Sequence, residues 1–288
     1  MAFPRQVPAI PRRSEHHLLD TDIVYDEVGG EPLRYDLYRP RAVSGLTPAV
    51  VFVHGGGWAN GDPSQAAGNG LHFARAGIAT VSLSYRLAPA HIFPAQLDDV
   101  RRGLRYVRRN AATLGIDPQR LVLLGVSAGA HLVMLAHLAR GVPALEPRLP
   151  PDLAATPEDV LAVMAHYGPY DLTRRRPIAG WDPIGDLLGE RAADPAWVRL
   201  ASPVQHAAHA TAPVLLIHGT ADDVVSHRES ERMHGALEAA GKASDLLLLE
   251  GAPHAFQIEW RGEANRRANA AMDALLARLG LMEVAARV

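Results

Sequence analysis

The chain contains no cysteine. That excludes disulfides, a thiol nucleophile and any cysteine-ligated zinc site. It also lacks a run of about 18 apolar residues, the length a membrane-spanning helix needs. Neither sign of charge dominates: 29 basic residues stand against 31 acidic ones, for a formal net charge of −2. Such a balance leaves no electrostatic footprint for nucleic acid or an anionic membrane, so neither partner is expected. No His-Glu-x-x-His pair occurs, so no metal is expected either. Internal repeats and low-complexity tracts are absent. The first twenty residues carry proline and charge where a signal peptide needs an apolar core, so the expected location is the cytoplasm.

What is present is 288 residues, 48% of them hydrophobic, enough to bury a large core in one α/β domain. Residues 21–28 and 32–39 read as two β-runs around Gly29-Gly30, an antiparallel hairpin at a sheet edge. Six short runs rich in Val, Ile and Leu follow: Ala49–His54, Ile78–Tyr85, Leu121–Gly125, Leu161–Tyr167, Val214–His218 and Leu246–Glu250. Near-continuous apolar runs of this length fit parallel strands covered on both faces. Between them, residues 95–114, 227–240 and 263–280 carry helical spacing, and Gly115 and Gly241 suit helix C-caps. The alternation predicts an α/β fold with a doubly wound, mostly parallel sheet. Residues 141–158 are proline-rich and read as a loop. Residues 172–200 interrupt the alternation and read as a small cap or lid insertion within a single domain, 1–288.

Gly125-Val126-Ser127-Ala128-Gly129 follows the strand LVLLG and opens the helix AHLVMLAHLAR. A serine on a sharp strand-to-helix turn projects its hydroxyl out of the sheet, and flanking glycines let the neighbouring backbones approach. The helix N-terminus directs free N–H groups towards a reacting oxygen. His54-Gly55-Gly56-Gly57-Trp58 ends an earlier strand. Its glycines let the backbone approach a substrate and, with the Ala128 amide, offer donors to an oxyanion. A phosphate loop would need a helix and Lys-Ser/Thr directly afterwards, and neither is there. His54 reads as structural, and Trp58 as a residue that lines the acyl pocket or is packed.

A serine hydroxyl needs a base beside it. Of 14 histidines, His254 is placed best, in a loop after the last strand run and at the same sheet edge as Ser127. Three acids are candidates: Asp222 and Asp223 after the strand VLLIH, and Asp171 after the strand before the insertion. Asp222 is favoured, giving the chain order Ser…Asp…His of this fold. His131 and His137 read as packing or surface residues, His16 and His17 as part of a polar leader. The arginine runs at 101–102, 108–109 and 174–176 read as solvated faces.

With those residues in place, the sequence resembles bacterial esterases of the hormone-sensitive-lipase-like group. It is closer still to the feruloyl-esterase-like and acetyl-esterase-like α/β-hydrolases. The matching stretches are HGGGW (54–58), SYRLAP (84–89), FPAQLDDV (93–100), GIDPQRLVLLGVSAGAHL (115–132), YGPYDL (167–172), HGTADDVV (218–225) and GAPHAF (251–256). The resemblance implies Ser127 as nucleophile, Asp222 as acid and His254 as base, with oxyanion donors from Gly56, Gly57 and Ala128. It implies hydrolysis of small-molecule carboxylic esters without a cofactor. Val126, Ala130 and Ser226 depart from the common pattern at non-catalytic positions. Two other readings stand beside this one: an arylformamidase-like amide hydrolase on the same site, and a non-catalytic binding protein on a hydrolase fold. Sheet edges and the last helix could support a homodimer. Short acyl chains are the expected substrates.

Overall fold

The computed structural model describes residues 11–41, 43–174, 177, 178 and 180–282. Arg175 and Arg176 of the third arginine run, and the first ten residues of the leader, lie outside them. The strands, in chain order, are β1 (His17–Val28), β2 (Glu31–Pro40), β3 (Thr47–Val53), β4 (Ala79–Leu83), β5 (Ile116–Val126), β6 (Val163–His166), β7 (Val214–Gly219) and β8 (Ser244–Leu249). They form one sheet in the order β1-β2-β4-β3-β5-β6-β7-β8. β1 and β2 make the hairpin around Gly29-Gly30, and β2 pairs antiparallel with β4. All remaining pairs are parallel.

Every residue of β3, β4, β6 and β7 is buried, as continuous apolar strands with two covered faces must be. Alternation divides them between two cores. Val51 and Val53 pack with Leu97 and Leu104 of α2 (residues Ala95–Arg109). Val50 and Phe52 pack on the other face with Phe73 of α1 (Ala67–Arg75) and with Met272 and Leu276 of α9 (Glu263–Arg278). The remaining helices are α3 (Ala111–Leu114), α4 (Ala128–Leu138), α5 (Pro151–Ala154), α6 (Pro183–Leu188), α7 (Pro195–Leu200) and α8 (Arg228–Ala239). Among the described residues, no helix is long and apolar enough to cross a membrane.

Several sequence expectations need correction. The helix expected over 95–114 breaks at Asn110 into α2 and α3, and the Asn110 side chain donates back to the Tyr106 carbonyl at 2.9 Å. Helix α1, nine residues long, was not expected from the sequence. The loop 141–158 contains α5 and a short 3₁₀ turn at Pro143–Leu145. This segment also overturns the reading of Arg101 and Arg102 as solvated. Arg101 is 1% exposed and reaches Glu158 at 3.0 Å and Glu146 at 3.2 Å. Arg102 reaches Asp26 at 2.7 Å. A charge on the buried face of a helix is tolerated only when paired, and the 141–158 segment supplies the acids for Arg101. His17 belongs to β1 rather than to a leader. It is buried, with one ring nitrogen 2.7 Å from the Ser14 hydroxyl.

Backbones approach very closely where β5 turns into α4. A Cβ on Gly125 would stand 2.3 Å from the Gly129 carbonyl oxygen, and one on Gly129 would stand 2.1 Å from that of Val53. Gly235, inside α8, faces open space, with no neighbouring atom within 4 Å of where its Cβ would be. Gly129→Ala is therefore expected to cost about 3 kcal/mol of unfolding free energy, at the upper end for overpacking. Gly235→Ala should gain up to about 1 kcal/mol. Denaturant melts of both variants test this, and a Gly129→Ala protein as stable as wild type would refute the steric reading.

Candidate active site

Ser127 sits between the last residue of β5 and the first of α4, with φ 54° and ψ −120°. A non-glycine residue in that region costs about 1–3 kcal/mol and persists only where its surroundings enforce it. Here they do: the Ser127 amide donates to the His166 carbonyl at 2.9 Å, and its carbonyl accepts from the Ala130 amide at 2.9 Å. The hydroxyl is left pointing beyond the carboxyl ends of the parallel strands.

Two loops at that same edge bring in Asp222 and His254. Asp222 follows β7, and its Oδ1 accepts from the amides of Val224 (2.9 Å) and Val225 (2.7 Å). Its Oδ2 lies 2.6 Å from His254 Nδ1 and 3.2 Å from His218 Nε2. Burial alone would raise the Asp222 carboxyl. Hydrogen bonds from His218, His254 and the Val225 amide outweigh it and hold the group well below the ordinary carboxylate range. An ionised carboxylate only accepts, so Nδ1 of His254 carries the hydrogen. In the neutral ring Nε2 is then free to accept, and it lies 3.1 Å from Ser127 Oγ. The Tyr167 ring packs edge-on against the His254 imidazole at 4.6 Å, and its hydroxyl bonds the side chain of Gln257.

Asp171 and Asp223 do not share this position. Asp171 accepts from the Thr173 hydroxyl at 2.5 Å and from Arg174 Nε at 3.2 Å, and Asp223 is exposed. The sequence reading did not find His218. Its Nε2 faces the Val225 carbonyl (2.9 Å) and Asp222, both acceptors, so it donates, and its Nδ1 accepts from the Ser230 hydroxyl at 2.7 Å. The signal was present in His218-Gly219-Thr220-Ala221-Asp222, where a turn folds the acid back on the histidine four residues earlier.

The glycine-rich loop after β3 flanks Ser127 on the other side. His54 is buried and stacked on Tyr85 at 4.2 Å, and the Tyr85 hydroxyl donates to the His54 carbonyl. Tyr85 begins a segment pinned by Arg86, whose guanidinium grips the buried Asp99 with two bonds of 2.8 Å. That ion pair joins the stretches SYRLAP and FPAQLDDV. Trp58 is buried, and its indole N–H donates to His131 Nδ1 at 3.2 Å. His131 Nε2 in turn donates to the Ala201 carbonyl at 2.8 Å, just beyond α7. Trp58 is thus packed and also forms part of the cavity wall.

A cavity of about 240 Å³ opens beside Ser127 and His254. Gly57, Trp58 and Ala128 line it, and the half-buried Gly56 precedes Gly57 in the same loop. The segment that follows β6 contributes Arg174, Ile178, Trp181, Pro183 and Ile184. The Trp181 ring lies so close that a Cβ on Gly57 would meet it at 2.3 Å. Among the described residues, no group of three or more His, Asp or Glu side chains could hold a metal ion.

Residues 35–237 match the model of one protein family, BD-FAE. The chain belongs to the BD-FAE family. This BD-FAE chain is 32% identical over 260 residues to Esterase LipQ of Mycobacterium tuberculosis, covering 88% of the chain and 61% of LipQ. It therefore spans less than two thirds of that relative. Among solved structures it resembles a truncated carbohydrate esterase from gut microbiota, with a TM-score of 0.79 at 26% identity, over 92% of this chain and 99% of that one. It also resembles the propionate-bound Est2 esterase of the Planctomycetes species Thermogutta terrifontis, with a TM-score of 0.77 at 27% identity, over 92% and 96% of the two chains. Sheet order and these neighbours establish the α/β-hydrolase fold.

This BD-FAE protein buries several imidazoles, most of them near the site and one, His137, in the last turn of α4. Burial pushes His54, His131 and His137 down to about 4 and His166 to about 3, the last with help from His218. An unfolded histidine titrates near 6.5. The folded rings stay neutral below that pH while the unfolded chain takes up protons. Stability is therefore full above about pH 6.5 and falls as the pH drops towards 4, by about 1.4 kcal/mol per pH unit for each such ring. The thermal midpoint is expected to fall by about 10 °C or more between about pH 7.5 and about pH 5.5. Calorimetry checks this, and a flat midpoint down to pH 5 would contradict the burial of neutral rings.

Proposed function

We propose that the protein is a serine carboxylic-ester hydrolase in which Ser127, His254 and Asp222 act as nucleophile, base and acid. The observation that carries this reading is the continuous path from Asp222 Oδ2 through His254 to Ser127 Oγ, at 2.6 and 3.1 Å. Both distances lie within reach for proton transfer.

The Ser127 hydroxyl attacks the ester carbonyl carbon while His254 Nε2 takes its proton. The carbonyl π electrons move onto oxygen, and the amides of Gly56, Gly57 and Ala128 receive the resulting oxyanion. As the tetrahedral intermediate collapses, the C–O bond to the alcohol breaks and the imidazolium returns the proton to the departing oxygen. Water then repeats the sequence on the acyl-enzyme, regenerating Ser127 and releasing the acid. Asp222, kept ionised by its donors, fixes the tautomer of His254 and stabilises the imidazolium. The strained backbone at Ser127 holds the nucleophile in place beforehand, which lowers the entropic cost of reaching the transition state.

Three observations support an ester with a short acyl group. The name of LipQ includes esterase. Est2 was solved with propionate and with butyrate. The cavity here is small, and Trp181 and Trp58 bound it. Residues 172–200 serve as its cap. Within the segment Trp181 Nε1 donates to Asp186 at 2.7 Å, and the Phe93 amide, donating to the Leu187 carbonyl at 2.8 Å, ties the segment to the body as a wall.

A series of p-nitrophenyl esters from C2 to C12 should show kcat/KM highest at four carbons or fewer. A maximum at C8 or longer would refute the short-chain reading. Ser127→Ala should lower kcat by about 10⁶, and Asp222→Asn by about 10³–10⁴ through the wrong tautomer. Wild-type hydrolysis of p-nitrophenyl acetate by Ser127→Ala would remove the serine mechanism.

A further inference from the structure

The charges in the cavity wall do not cancel. Asp171, Arg174, Arg228, Glu229 and Arg232 all line it. Asp171 is committed to Arg174 and to Thr173. Glu229 is buried and fully engaged: one oxygen accepts from the amides of Tyr170 (3.0 Å) and Asp171 (2.8 Å), and the other bonds Arg232. That leaves Arg228, the first residue of α8, whose guanidinium has no hydrogen bond or ion pair among the described residues. Arg228 and Arg232 lie four residues apart on one helix, so both reach the same side of the cavity. Apart from Ser226 and the reacting Ser127 and His254, the rest of the wall is mainly apolar, with Pro169, Ile178, Trp181, Ile184, Val224 and Val225. A single uncompensated cation beside an apolar surface favours a ligand with a compact apolar body and one negative group.

Resting on the ester-hydrolase reading above, we infer that the natural substrates are esters carrying a carboxylate, which Arg228 binds while Ser127 attacks the ester carbonyl. The carboxylate stands on the acyl or the alcohol portion, several bonds from the ester, because Arg228 and Ser127 line the same cavity without touching. The guanidinium supplies two parallel N–H donors to it. Neutral esters of the same shape forgo that contact and leave the cation unmatched.

The test compares two pairs of substrates at low ionic strength. 4-Nitrophenyl hemiglutarate is set against 4-nitrophenyl valerate, and 4-acetoxybenzoate against its methyl ester. In at least one pair the charged member should have the higher kcat/KM by about tenfold, with the advantage shrinking as salt is added. The charged-to-neutral ratio should fall about tenfold in Arg228→Gln, survive in part in Arg228→Lys, and drop below one in Arg228→Glu. Because the readout is a ratio within one preparation, loss of folded protein does not imitate the effect. No preference for the charged member in either pair, or a ratio unchanged in Arg228→Gln, overturns the inference while leaving the ester-hydrolase reading intact. If Ser127→Ala still turns over the neutral members, or if no ester is hydrolysed, the ester-hydrolase reading falls, and the inference with it.

Discussion

A helix that begins at the end of β5 can stand its first turn beside the end of β3 only if the two backbones nearly touch. At Gly129 that condition is met with 2.1 Å between the position of a Cβ and the Val53 carbonyl oxygen. Everything at the carboxyl edge follows from this approach. It sets the direction of α4 and forces the positive φ at Ser127. It also places the Ala128 amide beside the glycine loop that continues from β3. A methyl group at Gly125 or Gly129 would separate strand from helix and move the hydroxyl away from the loops that carry Asp222 and His254. The glycines are selected by the space between backbones rather than by flexibility.

Around that turn, polar groups are buried in linked sets whose members hold one another in place. The Arg86–Asp99 pair fixes the segment that carries Tyr85, and Tyr85 stacks on His54 at the root of the glycine loop. Trp58, His131 and the Ala201 carbonyl form a second chain, linking the glycine loop through α4 to the end of the insertion. The third is Ser230–His218–Asp222–His254. Each chain crosses between segments far apart in sequence. A fully satisfied buried network favours one arrangement over its neighbours because each lost bond leaves a desolvated partner behind. His131 is part of this arrangement: its neutral ring accepts from Trp58 at one nitrogen and donates to Ala201 at the other, which is what a relay between loops needs.

The strand runs along the chain and the placement of Ser127, Asp222 and His254 at one sheet edge were legible because each depends on local pattern. Apolar runs such as 49–53 and 214–218 identify buried strands by themselves, and Gly-x-Ser-x-Gly between a strand and a helix describes its own turn. Choosing Asp222 over Asp171 was harder. Both follow strands at the same edge, and only the hydrogen bond to His254 separates them. The arginines of α2 misled for a related reason. At positions 101, 102 and 105 they have the composition of a solvated face, yet the acids that neutralise two of them, Glu146 and Glu158, lie in a proline-rich stretch about fifty residues later. No helical periodicity can announce a partner supplied by a loop. Helix α1 is only nine residues long and carries glycine at 68 and 70, poor helix formers, and its burial comes from contact with Tyr38 and the sheet.

Substrate preference follows the same rule of distance. The machinery proposed for bond breaking is built on strand ends, where geometry repeats from strand to strand. The cavity wall is built by residues 172–200 and by the first turn of α8, where the chain is irregular and a single side chain changes the balance of charge. Asp171 pairs with Arg174 and Glu229 with Arg232, each three residues away along the chain, and the two pairs share one wall because Glu229 accepts from the Tyr170 and Asp171 amides after β6. The sequence separation between Asp171 and Glu229 hides that shared wall, and with it the fact that Arg228 is left over. Charge counted along the chain, at −2 overall, therefore says nothing about the charge a substrate meets. Local field depends on which ions have already found partners, and buried pairs cancel at short range while an unpaired cation does not. A nearly neutral protein can thus present a cationic wall at the one place where its chemistry is proposed to occur.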